Sequence, residues 1–292
     1  MKKKRIRYII NPKSGNKAKD AIPGLISGLT DTNEIDFEIC LTRAPKHATE
    51  LAREAAANQF DVVVAVGGDG SANETAHGLL GSETALGIIP TGSGNGMARH
   101  LKIPLDPGEA VSVINRFNRQ VIDSVTANGE FCLGTIGVGF DAHIAHLFAK
   151  SSVRGYATYV KLVLTEFYKY KPRNFQLTVD GKEFSKECFL LTFANSSQFG
   201  NNAVIAPFAD VTDGLIEVSM MGKFPVLSAP HLIYRLMNNT IHRSRYFEMA
   251  RGKNLLLKNS GALQGHIDGE PVTFQDDLHV QIVPGSISVI IP

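Results

Sequence analysis

Over the first 120 residues of this 292-residue chain, short apolar runs alternate with amphipathic stretches, and this pattern restricts the fold more than any other feature. Arg5 to Ile10 reads as a strand, after which Ala18, Ala21, Ile22, Leu25, Ile26 and Leu29 recur at helical spacing. Phe37 to Leu41 is the next strand, and His47 to Asn58 puts Ala48, Leu51, Ala52, Ala55 and Ala56 on one helical face. Asp61 to Val66 is a continuous apolar run, the pattern of a strand covered on both sides. Ser71 to Leu80 then reads as helix and Ala85 to Ile89 as strand. Such alternation predicts a parallel sheet flanked by helices, with ligands bound at the loops that follow the strands' carboxyl ends.

Beyond about Val121 the pattern changes. Phe175, Leu177 and Val179 alternate with polar neighbours, and Asp180-Gly181 follows as a hairpin turn. Glu187 to Phe193, Leu215 to Met220, Asn254 to Lys258, Leu278 to Val283 and Ser286 to Ile291 read as further strands. His143 to Tyr170 is a helical interlude and Val226 to Met237 a short helix. The expected architecture is therefore α/β plus all-β: a parallel-sheet α/β domain over 1–121 and a β-rich antiparallel, sandwich-like domain over 122–284. Residues 285–292 are expected to pack back on the first domain.

A length near two domains of ~150 residues suits this division. Thirty Lys and Arg against 28 Asp and Glu leave a net charge of +2, which excludes a protein that coats nucleic acid. The basic start, Met1 to Arg7, is followed by only Tyr8, Ile9 and Ile10 before Asn11-Pro12, so no secretory signal is expected. No apolar run approaches the ~20 residues of a membrane-spanning helix. Cys40, Cys132 and Cys188 are odd in number and widely spaced, which predicts reduced core residues in a cytoplasmic protein.

Three glycine-rich loops follow expected strands: Asn11-Pro12-Lys13-Ser14-Gly15; Gly67-Gly68-Asp69-Gly70-Ser71-Ala72-Asn73-Glu74; and Pro90-Thr91-Gly92-Ser93-Gly94-Asn95-Gly96. Glycine lets backbone N–H groups approach a ligand closely, and the helix N-terminus behind each loop favours phosphate. Together they describe a phosphate cradle, although strand-to-helix turns also need glycine for structure alone. None is followed by Lys and Ser or Thr, so they are not a Walker loop. Gly137-Val138-Gly139-Phe140-Asp141-Ala142 matches G-x-G-x-x-A, but no acid stands at Ala157 to Lys161, and it reads as a packing turn. Asp69 lies where it would hold Mg²⁺ or accept a proton beside phosphates, its other reading being a helix N-cap. Asn73 and Glu74 read equally well as solvated helix residues.

These loops, taken with His266-Ile267-Asp268-Gly269-Glu270 near the end of the chain, resemble the diacylglycerol kinase catalytic-domain family, which includes bacterial soluble lipid kinases, sphingosine kinases and ceramide kinases. The resemblance implies a nucleotide-binding α/β domain, a β-rich domain, an active site between them, and transfer of the γ-phosphoryl of ATP to a lipid hydroxyl with Mg²⁺. It implies ATP contacts from Asn11, Pro12, Lys13, Ser14 and Gly15, from Thr42, from Gly67, Gly68, Asp69, Gly70, Ser71, Asn73 and Glu74, and from Gly92, Ser93 and Asn95. Glu270 matches the proton acceptor, with Asp268 and Asp69 as acidic partners. Asp210 to Leu215 resembles a structural Mg²⁺ loop in which Asp213 gives its carboxylate and Asp210 and Leu215 give carbonyl oxygens; its other reading is an Asp-Gly turn. Many bacterial members carry Asp where Gly96 stands here, and the small residue after Ser93-Gly94-Asn95 is similar to the sphingosine and ceramide kinase version.

The expected reaction is phosphorylation of diacylglycerol to phosphatidic acid. The alternatives are a sphingoid or other lipid kinase, an NAD kinase, and a nucleotide-binding regulator with weak catalysis. A lipid substrate at the membrane surface calls for reversible docking. From Lys223 to Lys253 six bases (Lys223, Arg235, Arg243, Arg245, Arg251, Lys253) face one acid, Glu248, among Phe224, Tyr234, Tyr246 and Phe247. That composition suits an anionic lipid surface, and it also suits a solvated basic face over a core. The sequence leaves the oligomeric state, including a homodimer, open.

Overall fold

A computed structural model describes residues 3–12, 21–151 and 156–292. The chain forms two compact units, Met1–Asp123 with Pro284–Pro292, and Ser124–Val283.

In the first unit the described elements are β1 (Lys4–Ile10), α1 (Ile22–Leu29), β2 (Ile35–Leu41), α2 (His47–Ala57), β3 (Val62–Gly67), α3 (Asp69–Leu79), β4 (Ala85–Pro90), α4 (Gly96–His100) and α5 (Pro107–Ile114). The strands pair in parallel in the order β4-β3-β1-β2, with Ile6 opposite Val62 and Phe37, and Val64 opposite Gly87. Every residue of β3 and β4 is buried, as the unbroken apolar run from Asp61 to Val66 predicts for a strand covered on both faces. The chain leaves β1 toward β2 on one side and toward β3 and β4 on the other. The loops after β1 and β3 therefore flank the point where strand order reverses, the usual ligand position in such sheets.

Chain continuity between the units runs through β5 (Arg119–Ala127) and β15 (Leu278–Ile290). The sequence reads Leu278 to Val283 and Ser286 to Ile291 as two strands, whereas β15 is one strand that continues through Gly285 at φ +59°. Its end joins the first sheet, Val289 pairing with Leu86, and the Gly285 N–H donates to Asp123 at 2.7 Å. The expected helix from Ala18 begins outside the described residues, and Ile22–Leu29 is the part described.

The second unit is antiparallel. It contains β6 (Glu130–Cys132), β7 (Thr135–Gly139), α6 (Phe140–Lys150), α7 (Tyr156–Phe167), β8 (Arg173–Val179), β9 (Lys182–Ala194), β10 (Ile216–Gly222), α8 (Ala229–Met237), β11 (Phe247–Gly252), β12 (Asn254–Lys258), β13 (Leu263–Ile267) and β14 (Glu270–Phe274). The expected helical interlude is thus two helices, α6 and α7. Asp180 and Gly181, both at positive φ, make the tight turn joining β8 to β9. Along its thirteen residues β9 changes partners, pairing first with β8 and then with β7 and β10. Strand alternation sends Leu191 and Phe193 to one core, with Ile136, Leu177, Val218 and Leu257, and Leu190 and Ala194 to a second, with Phe140, Phe189 and Leu232 beneath α6 and α8.

The three cysteines are free. Cys132 and Cys188 are buried as expected, but Cys40 is only half-buried. The reason is topological: β2 pairs with β1 alone, so one edge of it lacks a neighbouring strand.

Candidate active site

Loops at the carboxyl ends of β1, β3 and β4 come together in the first unit. The Asn11 N–H donates to Val66 O at 3.2 Å, and its side-chain amide lies 3.4 Å from Ser71 Oγ, joining the first loop to the second. Gly68 and Gly92 sit back to back. A Cβ on Gly92 would lie 2.5 Å from Gly68 Cα and 2.9 Å from Asn95 Oδ1, so side chains are excluded where the second and third loops touch. Asn95, in the left-handed region at φ 54°, accepts the Gly92 N–H at 3.0 Å and donates back to Gly92 O at 2.8 Å, which fixes the third loop.

Gly68 is the N-cap residue of α3 and makes no side-chain bond; Asp69 begins the helix. Asp69 Oδ1 instead accepts the Met97 N–H at 3.1 Å, in the first turn of α4 and beside Gly96. The carboxylate thus ties the second loop to the third. Gly70, in the first turn of α3, and Asn73, just beyond it, are half-buried, Ser71 is buried, and Ser93 is exposed. Glu74 is not simply a solvated helix residue, because its Oε1 accepts the Lys46 N–H at 3.0 Å and its carbonyl accepts Thr49 Oγ1 at 2.8 Å. Thr42 hydrogen-bonds to Ile10 O at 2.9 Å and lines a cavity of about 610 Å³ with Pro12, Cys40, Arg43 and His47. That volume suits a small-molecule ligand. Lys13, Ser14 and Gly15 lie outside the described residues.

In the second unit the His266 to Glu270 motif forms the β13–β14 hairpin. Asp268 (φ 48°) and Gly269 (φ 82°) are the two turn residues, and Ile267 pairs with Glu270. Asp-Gly is the sequence that this turn prefers. The Asp268 carboxylate accepts the N–H groups of Leu133 at 2.9 Å, Gly134 at 2.9 Å and Thr135 at 2.7 Å. Three backbone donors fasten the carboxylate in place. Burial, together with the Asp268 charge 3.5 Å from Sγ, pushes the Cys132 thiol well up and keeps it protonated. Glu270 differs: its side chain is exposed, and among the described residues its carboxylate has no hydrogen-bond or ion-pair partner. The hairpin thus carries one acid committed to the backbone and one open to a substrate.

The 210–215 loop has oxygen donors of the kind a hard cation takes. Asp213 Oδ1 accepts the Leu215 N–H at 2.9 Å, and its other oxygen lies 4.0 Å from the Arg251 guanidinium. Asp210 caps its own turn through the Thr212 N–H and hydroxyl. The Asp213 carboxylate and the loop's backbone carbonyls are the donors such a cation would take. Among the described residues no three His, Cys, Asp or Glu side chains cluster to bind a metal.

The basic segment divides in two. Arg251 bonds Glu217, whose carboxyl is pushed up by burial against the pull of this guanidinium, and also the Phe208 carbonyl. Arg235 bonds His231 and Thr240 O. Both are engaged within the fold. Lys223, Arg243 and Arg245 are exposed, close in sequence to the exposed apolar side chains Val226, Leu227, Ile233 and Tyr234, and Leu227 is 94% exposed. Among the described residues no helix is long and apolar enough to cross a membrane.

Sequence reasoning gave no role to Asp141 or His266. The signal was the pair of glycines in the 137–142 motif: a Cβ on Gly137 would fall onto Asp141 Oδ2 and His266 Nε2.

Residues 5–127 match the family model described as the diacylglycerol kinase catalytic domain, and residues 134–291 match that of the YegS C-terminal NAD kinase beta sandwich-like domain. The chain is 30% identical over 248 residues to a Chromohalobacter salexigens protein named "Probable lipid kinase YegS-like", covering 83% of this chain and 79% of that one. It is 25% identical over 273 residues to a Bacillus subtilis protein named diacylglycerol kinase, covering 91% and 90%. A crystal structure of a diacylglycerol kinase from Bacillus anthracis has the same fold, with a TM-score of 0.75 at 18% identity over 100% of this chain and 98% of that one.

Proposed function

Because this chain belongs to the diacylglycerol kinase catalytic-domain family and is a lipid kinase, we propose that it transfers the γ-phosphoryl group of ATP to the free hydroxyl of diacylglycerol, giving phosphatidic acid and ADP. The observation that carries this reading is the unpartnered Glu270 carboxylate on a turn fastened beneath it by Asp268. The acceptor oxygen forms its bond to phosphorus as the bond from phosphorus to the bridging oxygen of ADP breaks, and the hydroxyl proton passes to Glu270. Phosphoryl transfer asks mainly for positioning and charge stabilisation. The close-packed loops around Gly68, Asp69 and Gly92 would position the phosphates, and the cavity beside Thr42 would take the nucleoside. Mg²⁺ bound with the nucleotide would neutralise developing phosphate charge; a second cation on the 210–215 loop would be held by Asp213 and the carbonyls of Asp210 and Leu215.

The deciding experiment measures phosphate transfer from ATP to diacylglycerol, monoacylglycerol, phosphatidylglycerol, sphingosine and ceramide, with NAD as a soluble acceptor. Diacylglycerol is expected to be the preferred acceptor. Transfer to sphingosine or ceramide alone, or to NAD alone, would overturn the assignment.

Gly92→Ala is expected to weaken ATP affinity about tenfold or more, because an added methyl group 2.5 Å from Gly68 Cα forces the loops apart. Calorimetric titration with a non-hydrolysable ATP analogue measures this, and unaltered affinity would remove these loops from the nucleotide site.

Exposed Leu227, Ile233 and Tyr234, close in sequence to Lys223, Arg243 and Arg245, support reversible docking on an anionic bilayer. Each base near such a surface contributes about 1 kcal/mol. Reversing Arg243 and Arg245 to Glu is therefore expected to cut binding to phosphatidylglycerol-rich vesicles at least about tenfold in a sedimentation assay. Equal binding would rule out this face.

A further inference from the structure

The loop motif that reads as a packing turn encloses a buried carboxylate–imidazole pair. Gly137 of β7 stands directly opposite His266 of β13, and the missing side chain at Gly137 leaves the space that the imidazole fills. His266 Nε2 lies 3.3 Å from Asp141 Oδ2, and the two side chains are 5% and 8% exposed. Asp141 also accepts the Thr192 hydroxyl at 3.3 Å and the Ala142 N–H at 2.9 Å, and the Phe199 ring meets the imidazole edge-on. On its other side, His266 Nδ1 lies 3.3 Å from the Gly269 N–H.

A backbone N–H can only donate, so Nδ1 must carry a lone pair. The ring proton then sits on Nε2, facing the carboxylate. Both bonds are satisfied by the neutral Nε2–H tautomer and by no other state of the ring. Gly269 is the residue before Glu270, so the chain Asp141–His266–Gly269 ends on the backbone that carries the exposed carboxylate. The same helix grips the hairpin again. His146 of α6 directs Nε2 at Gly265 O (3.1 Å) and Val272 O (3.0 Å), one on each strand, and must donate to both.

Resting on the reading of Glu270 as proton acceptor, we propose that Asp141 and His266 are positioning residues for it: Asp141 holds His266 in the Nε2–H tautomer, and Nδ1 holds the Gly269 N–H and so the angle at which Glu270 leaves the turn. The device meets a local problem. Fastened only by the Asp268 carboxylate and the Ile267–Glu270 pair, the two-residue turn would leave the peptide between Asp268 and Gly269 free to flip and shift the start of Glu270, and misplacement of a reacting group by about 1 Å costs on the order of 10²-fold in rate.

The test uses the full-length protein and two amide variants that divide the imidazole's contacts. In His266→Asn the amide oxygen stands near Nδ1 and can still accept the Gly269 N–H; in His266→Gln the amide reaches the Nε2 position and meets Asp141 instead. Hydrogen exchange at the Gly269 amide is expected to stay slow in His266→Asn and to speed up about fivefold or more in His266→Gln, whatever the enzyme's substrate. With a lipid acceptor, kcat is expected to fall about 10²-fold in His266→Gln and by much less in His266→Asn, with KM for ATP unchanged in both. In the unsubstituted protein, imidazole ¹⁵N shifts are expected to put the His266 proton on Nε2, a readout that survives if either variant fails to fold. A proton on Nδ1, equal Gly269 exchange in the two variants, or equal losses of kcat would overturn the proposal. Full turnover in Glu270→Gln would instead overturn the role of Glu270 and leave the exchange and ¹⁵N results standing.

Discussion

Replacing Glu270 with Gln is expected to lower turnover by about 10² to 10⁴-fold while ATP binds as before, the range that a lost general base produces. The substitution keeps the size of the side chain and removes only its capacity to take a proton. Because this carboxylate makes no bond to the rest of the described protein, its loss leaves no buried donor unpaired, and stability should hold. A single-turnover assay with saturating ATP measures the chemical step directly, and equilibrium binding of an ATP analogue supplies the control. Unchanged turnover would remove Glu270 as the proton acceptor; loss of nucleotide binding together with turnover would mean that it acts on ATP instead.

Asp268→Ala is expected to show itself in stability. The carboxylate receives three backbone N–H groups from Leu133, Gly134 and Thr135, and truncation leaves all three without their partner. A hydrogen bond to a charged group contributes about 1.5–3 kcal/mol net, and the three share one carboxylate, so roughly 3–5 kcal/mol is expected. That is a large part of a domain's total stability. Urea unfolding followed by far-UV circular dichroism should show the midpoint falling by more than about 1 M. Asp268→Asn should lie between, because the Gly134 and Thr135 N–H groups share Oδ1, which the amide oxygen replaces, whereas the amide NH₂ would face the Leu133 N–H. An alanine variant as stable as the parent would show that the three bonds are dispensable. The two neighbouring acids are thus separable: one substitution is read in rate, the other in the unfolding curve.

How much of this was legible before the structure depended on how local the cause was. The glycines at 68 and 92 were recognisable because they follow apolar runs, and the close approach of their loops is a backbone requirement that only glycine meets. The Asp180-Gly181 hairpin was legible for the same reason, both positive φ angles falling on residues that tolerate them. Glu74 was legible as a member of a motif but not in its contact, since its partner, the Lys46 N–H, lies 28 residues earlier at the start of another helix. Cys40 was misread as core because an apolar stretch looks alike in a central strand and an edge strand, and only sheet order tells them apart. Asp141 and His266 were not legible as a pair, and the glycines of the 137–142 motif were the one local trace of their packing. They stand 125 residues apart, and they meet because β13 lies beside β7 in the one register that puts His266 opposite Gly137.

From sequence alone came the parallel α/β half, the antiparallel half, the glycine loops, the Asp-Gly-Glu turn and the family that these motifs resemble. All of them are set by periodicity or by backbone conformations that few residues allow, and both are properties of short segments. The tertiary structure decided what each acid does. Asp268 became a fastener because the β6–β7 connection and the first residue of β7 turn three N–H groups toward it, and Glu270, two residues on, was left open. Two carboxylates in one motif are chemically alike until folding surrounds one with donors and leaves the other in water, and no local pattern records which of them the donors will reach.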